Sequence, residues 1–210
     1  MKIAIFGAGS VGGTLGKSLA VAGHEIYFGV TDPKSEKTQK LIAEIGAKAG
    51  TVAEAAANAE VILLATPWNV VQNVLRNAGD LRGKILVDCT NPLAMGANGL
   101  ELTAGFNTSG AEQIAAMVPG TQVVKAFNQT GFGNMAEPSF DGKRSVMFVC
   151  GDDEASLATV RRLSEDVGFE TIEAGALRIA RLLEPLAMLW IHLSFTTNLK
   201  RDFAFALLKR

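Results

Sequence analysis

Residues 2–12, KIAIFGAGSVG, decide the fold of this chain, because an apolar run leads directly into a glycine-rich turn. The run Lys2–Phe6 has the apolar character of a buried strand, and apolar residues recur at helical spacing over Ser10–Val21. Between the two, the stretch Gly7–Gly12 has the glycine spacing GxGxxG. A strand, this turn and a helix in immediate succession indicate a dinucleotide-binding unit.

The glycines of this turn predict a phosphate site, because each position has its own steric requirement. Gly7 permits the tight turn, Gly9 lets the backbone approach a pyrophosphate, and Gly12 lets the helix pack closely on the strand. Backbone N–H groups at the start of the helix, together with the helix dipole, then favour a bound phosphate. A glycine turn without a ligand is the alternative interpretation. The predicted phosphate-binding residues are Gly7, Ala8, Gly9, Ser10, Val11 and Gly12.

Short apolar runs alternate with alanine-rich segments along most of the chain, a pattern that predicts a doubly wound α/β sheet. The runs are apolar throughout, which is typical of a mainly parallel sheet with helices on both faces. The predicted strands are 2–6, 25–28, 61–65, 84–89, 122–126, 145–150 and 170–173. The predicted helices are 10–21, 35–45, 52–58, 68–77, 110–117 and 154–167.

The last part of the chain is expected to form a short helical extension. We assign residues 1–174 to a Rossmann-type dinucleotide-binding domain and residues 175–210 to this extension. Residues 182–190 are apolar on almost every side of a helix, so the helix must be buried against the sheet or against another subunit. Pro185 should kink or break it, since proline removes a hydrogen-bond donor. The extension either completes the core or also shapes the pocket and a dimer contact.

The composition excludes several classes of protein. The 210 residues are 48% hydrophobic and 20% charged, which excludes disorder and a charge-rich coiled coil. The 20 basic residues nearly cancel the 21 acidic ones, so nothing points to nucleic acid or an anionic membrane as a partner. No apolar stretch is long enough to span a bilayer, and no metal-ligand spacing or secretory leader is present. We therefore expect a cytoplasmic protein in which Cys89 and Cys150 are free and buried.

The end of the second predicted strand favours NADP over NAD as the cofactor. NAD-binding folds usually place an acid there to accept hydrogen bonds from the ribose, and that position is Val30. Asp32 comes two residues later, beside Pro33, and is interpreted as a turn or capping residue. With no carboxylate to repel a 2′-phosphate, Thr31 and Lys34 could accept it, although no arginine fork is present.

Three further strand ends should meet at the same edge of a parallel sheet, where such folds bind ligands. The stretches that follow them are 66–68, 90–93 and 125–131, and a glycine-punctuated loop of about 15 residues follows the second. His24 lies at the opposite edge and is interpreted as structural. The remaining predicted cofactor-binding residues are Val30, Thr31, Lys34, Thr66, Pro67, Trp68, Asn91, Pro92, Leu93 and Ala126. The candidates for positioning a second substrate are Asn128, Thr130 and His192.

The absence of proton-transfer machinery at this edge favours a particular chemistry. The sequence places no Ser–His–Asp grouping, metal cluster or acid pair there, and it has no room for a large second domain. Such a site suits hydride exchange between two flat redox cofactors, which carry the chemistry while the protein positions them. Two alternatives stay open: a reductase for a flavin, quinone or imine, and a redox sensor that binds NADP(H) without turnover.

The chain resembles the NADPH-dependent F420 reductases, also called F420:NADP oxidoreductases, over essentially its whole length. Several of the same residues are similar to the reductase domain of the STEAP metalloreductases. The resemblance implies NADPH bound along the glycine turn, coenzyme F420 or a flavin as second substrate, and a homodimer. It rests on Gly7–Gly12, residues 23–25, Thr66–Trp68, Asp88–Leu93, Val123–Asn128, Cys150–Asp153 and Arg181–Leu186.

Overall fold

Strands and helices alternate along residues 1–97 and 99–210, the part of the chain that this computed structural model describes. The strands are β1 Lys2–Phe6, β2 Glu25–Gly29, β3 Lys48–Gly50, β4 Val61–Leu64, β5 Ile85–Asp88, β6 Leu93–Gly96, β7 Gly99–Leu102, β8 Gln122–Lys125, β9 Ser139–Phe140, β10 Lys143–Arg144, β11 Val146–Gly151 and β12 Glu170–Gly175. The helices are α1 Ser10–Val21, α2 Glu36–Ile45, α3 Val52–Ala57, α4 Val71–Asn77, α5 Gly110–Met117, α6 Phe132–Ala136, α7 Glu154–Val167 and α8 Ala180–Thr196. No helix in the described ranges is long and apolar enough to cross a membrane.

The central sheet has the strand order β12-β11-β8-β5-β4-β1-β2-β3. From β1 the chain first builds outward through β2 and β3, and then returns to the other side of β1 with β4, β5 and β8. All six of these strands run parallel. The order therefore reverses at β1, and a crevice opens there at the carboxyl ends of β1 and β4. The predicted doubly wound α/β sheet is confirmed.

The last two strands of the sheet run in the opposite direction. β11 pairs antiparallel with β8, with Cys150 opposite Lys125, and β12 pairs parallel with β11. Because β11 starts at the edge where β8 ends, the connection between them stays at that edge. It contains α6 and the β9–β10 hairpin, neither of which the sequence predicted. This reversal places extra chain beside the crevice.

Helices cover both faces of the sheet, as the apolar strands predicted. Ile3 and Ile5 of β1 face one core, which α1 and α7 complete with residues such as Leu15 and Leu163. Ala4 and Phe6 face the other core, which includes residues of α3, α4, α5 and α8. Both cores are closed, so the sheet gives the crevice a rigid floor.

The local structure differs from the expectations in three places: a break at Pro185, the loop after Pro92 and the helix 68–77. α8 continues unbroken through Pro185, which therefore costs the helix only the bond to the carbonyl of Arg181 in its first turn. The stretch after Pro92 is a hairpin, in which Leu93 pairs with Leu102 and Gly96 with Gly99, instead of an irregular loop. The predicted helix 68–77 is a 3₁₀ turn, Trp68–Val70, followed by α4.

The glycine turn holds α1 against β1 at very short range. Gly7 has a φ of +102°, and its N–H donates to the carbonyl of Gly29 at 3.0 Å. A Cβ on Gly12 would overlap the carbonyl oxygen of Gly7 and lie 3.1 Å from Ile5 Cγ2. A Cβ on Gly13 would meet nothing closer than Leu41 Cδ2 at 3.6 Å. The predicted close packing at Gly12 is confirmed.

Two alanine substitutions in α1 should therefore have opposite effects on stability. Gly12→Ala should lower the free energy of unfolding by about 1–3 kcal/mol, because the added methyl overlaps backbone. Gly13→Ala should raise it by up to about 1 kcal/mol, because alanine favours the helix and has space. Urea unfolding of both variants measures the difference, and equal losses would contradict the close contact at Gly12.

Candidate functional site

The crevice at the carboxyl ends of β1, β4 and β5 is a cavity of about 460 Å³. The glycine turn forms one wall, and the stretches after β4 and β5 form the others. The sequence-predicted residues that line it are Gly9, Ser10, Val11, Thr66, Pro67, Trp68, Asn91 and Leu93. Eight of the predicted residues, from three separate stretches of chain, are thus brought together.

The open side of the glycine turn faces this cavity. A Cβ on Gly9 would meet nothing within 4 Å, so the backbone there is accessible to a bound group. Gly9 precedes the first turn of α1, and no side chain caps that end of the helix. The first N–H groups of α1 are therefore available as donors, as a phosphate requires.

The hydroxyl of Thr66 supports a polar ligand in the same place. Its Oγ1 is buried without a hydrogen-bond partner among the described residues, a property shared only with Thr121 Oγ1 there. The Thr66 methyl group lies 3.2 Å from where a Gly7 Cβ would be, so this side chain abuts the glycine turn. A buried polar atom without a partner is unfavourable, and a ligand oxygen in the cavity would relieve it.

A second cavity, of about 570 Å³, continues from the first. Val11, Cys89 and Asn91 line both cavities, so they mark the junction between the two halves. The second half has five aromatic and three charged residues in its lining. Its lining includes Phe127, Asn128, Thr130, Phe132, Glu137, Phe140, Trp190, Phe195, Arg201 and Asp202.

Asn91 and Asn128 form a reciprocal pair at the junction. Asn91 Nδ2 donates to the carbonyl of Asn128 at 2.9 Å, and Asn128 Nδ2 donates to Asn91 Oδ1 at 3.0 Å and to the carbonyl of Leu183 at 3.1 Å. Asn128 is buried, and Phe127 before it has a φ of +59°, a strained conformation for a non-glycine residue. Thr130 Oγ1 accepts from Asn134 at 2.7 Å. Contact of Asn128 and Thr130 with a substrate stays a prediction.

The C-terminal strap, residues 199–205, closes the second cavity. The carbonyl of Phe203 accepts from Trp190 Nε1 at 3.0 Å and from Asn134 Nδ2 at 2.7 Å. The Phe203 ring stacks on Trp190 with centroids 5.4 Å apart, and the carbonyl of Phe205 accepts from Val146 N at 2.9 Å. Arg201 lies over the ring of Phe195. The strap is thus tied to α6, α8 and β11.

The end of β2 lies beside the glycine turn, away from the second cavity. Val30 N donates to the carbonyl of Gly50 at 3.0 Å. Asp32 Oδ1 accepts from Lys34 N at 3.0 Å, and the carbonyl of Asp32 accepts from Ser35 Oγ. The predicted turn role of Asp32 is therefore confirmed, while Thr31 and Lys34 are exposed.

The other predicted residues lie outside the cavity lining. Gly7, Ala8 and Gly12 support the turn from beneath, and Ala126 is fully buried. The carbonyl of Pro92 accepts from Thr103 N at 2.7 Å, so Pro92 anchors the start of the β6–β7 hairpin. His192 is exposed on α8 and is absent from the described lining of the second cavity.

His24 and the cysteines have structural environments. His24 contacts Asp166 at 2.9 Å and the N-terminal amine at 3.3 Å, at the opposite edge of the sheet. Cys89 and Cys150 are free and buried, as predicted. Burial raises the pKa of Cys150 to about 12 and raises that of Cys89 as well, so both thiols stay protonated. The described residues contain no cluster of side chains that could hold a metal ion.

A fully buried ion triad lies beneath the asparagine pair. Lys125 Nζ donates to Asp88 Oδ2 at 2.8 Å and to Glu184 Oε1 at 2.9 Å, and all three side chains are at most 1% exposed. Burial alone would lower the pKa of Lys125, but the two carboxylates outweigh burial and raise it. The Glu184 carboxylate also accepts from Gly110 N at 2.9 Å and from Ala111 N at 3.1 Å, at the start of α5.

No role was predicted for the members of this triad from the sequence. Asp88 and Glu184 lie 37 and 59 residues away from Lys125 in the sequence. Asp88 and Lys125 are both in apolar runs that predict buried strands. A charged residue inside such a run was the available signal, because a buried charge requires a partner. Removing one partner of a buried ion pair costs about 3–5 kcal/mol.

Comparison with known proteins identifies the family. A sequence model described as "NADP oxidoreductase coenzyme F420-dependent" matches residues 2–92. The F420-dependent NADP reductase of Methanothermobacter thermautotrophicus is 30% identical over 214 aligned positions, which cover 95% of this chain and 92% of that protein. The chain belongs to the F420-dependent NADP reductase family. As a member of this family it is an NADP-dependent oxidoreductase.

Two further proteins are similar to this chain. A solved structure from Arthrobacter sp. FB24, provisionally described as an F420-dependent NADP reductase, is 32% identical with a TM-score of 0.89, and each chain is fully covered. Metalloreductase STEAP3 of Rattus norvegicus is 31% identical over 187 residues, which are 89% of this chain and 36% of that protein. This chain thus spans about a third of the length of STEAP3. Both resemblances expected from the sequence are confirmed.

The two partnerless hydroxyls generate a stability prediction. Thr66→Val and Thr121→Val should each raise the free energy of unfolding of the ligand-free chain by about 1 kcal/mol, because each removes a buried polar atom without a partner. Thr51→Val is the matched control, since the Thr51 hydroxyl accepts from Glu54 N and caps α3. It should lose about 1 kcal/mol. Urea unfolding tests all three, and a loss for Thr66→Val would contradict the assignment of a partnerless hydroxyl.

Proposed function

We propose that this enzyme transfers hydride between NADPH and coenzyme F420. The observation that carries the proposal is the continuous crevice, in which a phosphate-binding half and an aromatic half share Val11, Cys89 and Asn91. NADPH in the first half would present its nicotinamide at this junction, facing the second half. A flat acceptor in the second half would then meet it face to face, as direct hydride transfer requires.

The first half of the crevice fits the cofactor. The N–H groups at the start of α1 would bind the pyrophosphate, because Gly9 leaves the backbone open there. Thr66 Oγ1 would donate to a cofactor oxygen, which gives this buried hydroxyl a partner. Thr31 and Lys34 would bind the 2′-phosphate, because the Asp32 carboxylate is already engaged by the backbone N–H of Lys34. Ala8, Pro67, Trp68 and the 90–93 turn complete the proposed cofactor site.

The second half of the crevice fits a flat redox partner. Its aromatic lining supplies stacking surfaces, and its volume of about 570 Å³ lies in the range of small-molecule sites. NADPH supplies the hydride when bound, so the chain needs no nucleophile or metal of its own. Asn128, Thr130 and the junction residue Asn91 would hold the acceptor ring against the nicotinamide. We also propose that residues 175–210 form a segment distinct from the 1–174 domain, and that this segment covers the bound acceptor.

The proposal includes a cytoplasmic homodimer. Leu182, Pro185 and Leu189 form an exposed stripe at helical spacing on α8, and Phe106 beside it is 97% exposed. Phe106, Leu182 and Pro185 line one shared apolar depression. An apolar helix face of this kind is unfavourable in water, and a second copy would cover it. Two free, buried cysteines suit a reducing compartment.

The direct test follows the visible absorbance of coenzyme F420 with purified protein and NADPH. We expect bleaching that requires NADPH and is at least about tenfold slower with NADH, because only NADPH carries a 2′-phosphate for Thr31 and Lys34 to bind. Free flavin, a quinone and an imine serve as parallel acceptors. Turnover with one of these and none with F420 would replace the acceptor, and NADPH binding without any turnover would favour a redox sensor.

A valine at Gly9 should separate cofactor binding from folding. Gly9 has an extended backbone and open space, so Gly9→Val should fold normally. Its side chain would occupy the path of the pyrophosphate and weaken NADPH binding by at least about a hundredfold, roughly 2.7 kcal/mol. Quenching of tryptophan fluorescence measures the affinity, with Gly13→Ala as control. Undiminished NADPH affinity in Gly9→Val would contradict the placement of the cofactor.

A charge on the α8 stripe should dissociate the dimer. Leu189→Glu places a carboxylate in the proposed interface, where burial of an unpaired charge is unfavourable, so this variant should sediment as a monomer of 22.1 kDa. Val21→Glu is the control, because Val21 is 90% exposed at the end of α1. Analytical ultracentrifugation measures the oligomeric state, and a monomeric wild-type chain would contradict the proposed dimer.

A further inference from the structure

Three stretches of chain meet at the ion triad of Asp88, Lys125 and Glu184; two of them continue into the asparagine pair, and the third contacts it. Asp88 ends β5 and is followed by Thr90 and Asn91. Lys125 ends β8, three residues before Asn128. Glu184 follows Leu183 in α8, and the carbonyl of Leu183 accepts from Asn128. The triad is thus the common support of the residues at the junction of the crevice.

The position of Asn91 depends on two charges of the triad. Asp88 Oδ1 accepts from Thr90 N at 2.9 Å and from Thr90 Oγ1 at 2.7 Å. Lys125 Nζ donates to the carbonyl of Thr90 at 2.6 Å. Every hydrogen-bonding group of Thr90 is therefore fixed by Asp88 or Lys125. Asn91, the next residue, has little freedom to move.

The position of Asn128 depends on the third charge. Glu184 Oε1 accepts from Lys125 and Ala111, and Oε2 accepts from Gly110. These bonds hold α8 at the height where the carbonyl of Leu183 meets Asn128 Nδ2. The strained backbone of Phe127 would relax if this contact were lost, because such conformations persist only where the surroundings enforce them.

Stability alone does not account for the triad. A buried ion cluster is often no more stable than apolar side chains of the same volume, because its charges lose their hydration. The ions add directional hydrogen bonds, and each ion fixes the position of particular donors and acceptors. Here the groups bonded to the ions are those of Thr90, the residue before Asn91, and the N–H groups of Gly110 and Ala111, which dock α8 on α5.

We propose that the Asp88–Lys125–Glu184 triad is a positioning device that sets the Asn91–Asn128 pair at the point where donor and acceptor meet. The inference rests on the proposed function for its consequence, the rate of hydride transfer. Its structural part, control of the asparagine pair, holds for the chain by itself. Loss of one triad charge should lower the rate of hydride transfer more than the affinity for NADPH, because the phosphate-binding turn lies outside the triad and only the 90–93 turn of the cofactor site depends on it.

The chain offers a matched control for this proposal. Glu112 in α5 forms an ion pair with Arg181 in α8, at 2.6 Å and 2.9 Å. It therefore joins the same two helices as Glu184 but has no contact with the triad or the asparagine pair. Glu184→Gln and Asp88→Asn remove one charge from the triad at constant size, and Glu112→Gln removes one charge from the control pair. Two triad variants keep the test decisive if one fails to fold.

The first readout is hydrogen exchange of the Asn91 and Asn128 side-chain amides, followed by NMR in the full-length protein. Exchange should be at least about tenfold faster in the triad variants than in wild type and in Glu112→Gln. The second readout is a single-turnover measurement with NADPH and coenzyme F420. The hydride-transfer rate should fall by at least about tenfold in the triad variants, and NADPH affinity should fall by a smaller factor.

The outcomes separate this proposal from the function it rests on. Faster exchange confined to the triad variants supports the positioning role, even if wild-type protein reduces no F420, a result that would instead overturn the proposed function. Equal exchange in all variants would overturn the positioning role. So would parallel losses of rate in Glu184→Gln and Glu112→Gln, since these would reflect only the docking of α8 on α5.

Discussion

The close approach of α1 to β1 is the constraint on which the rest of this structure depends. Because Gly12 has no side chain, the first turn of α1 lies against the carbonyl of Gly7. That contact aims the first N–H groups of the helix into the crevice. The strand order reverses at the same place. The uncapped start of α1 therefore lies at the opening between β1 and β4.

The antiparallel β11 explains how so short a chain encloses two cavities. A parallel crossover after β8 would have carried the chain to the far edge of the sheet. Instead residues 126–145 stay at the crevice and provide Phe132 and Phe140, while α8 and the strap provide Trp190 and Arg201. The aromatic half is therefore built from connections, and the phosphate-binding half from strand ends.

Local patterns predicted the parts of the molecule that local rules govern. The boundaries of β1, α1, α5 and α7 agree with the sequence prediction, because glycine spacing, caps and apolar periodicity act within a few residues. The direction of β11 depends on pairing with β8, a strand about 20 residues away in the sequence, and no pattern within β11 specifies it. The triad was missed for the same reason, since Lys125 acquires its partners only through tertiary packing. In the crevice, the residues that follow the strand ends were predictable, and the strap was not.

The strap also separates the two halves of the crevice along the sequence. Residues 1–93 contain every group of the phosphate-binding half, whereas the aromatic half needs the carbonyl of Phe203 to hold Trp190 and Asn134 together. The residues that line the nucleotide half therefore come from the first part of the chain, and those that complete the wall of the second half come from its last part. The same separation lets substitutions near the end of the chain change which molecule enters the second half while the nucleotide half stays intact.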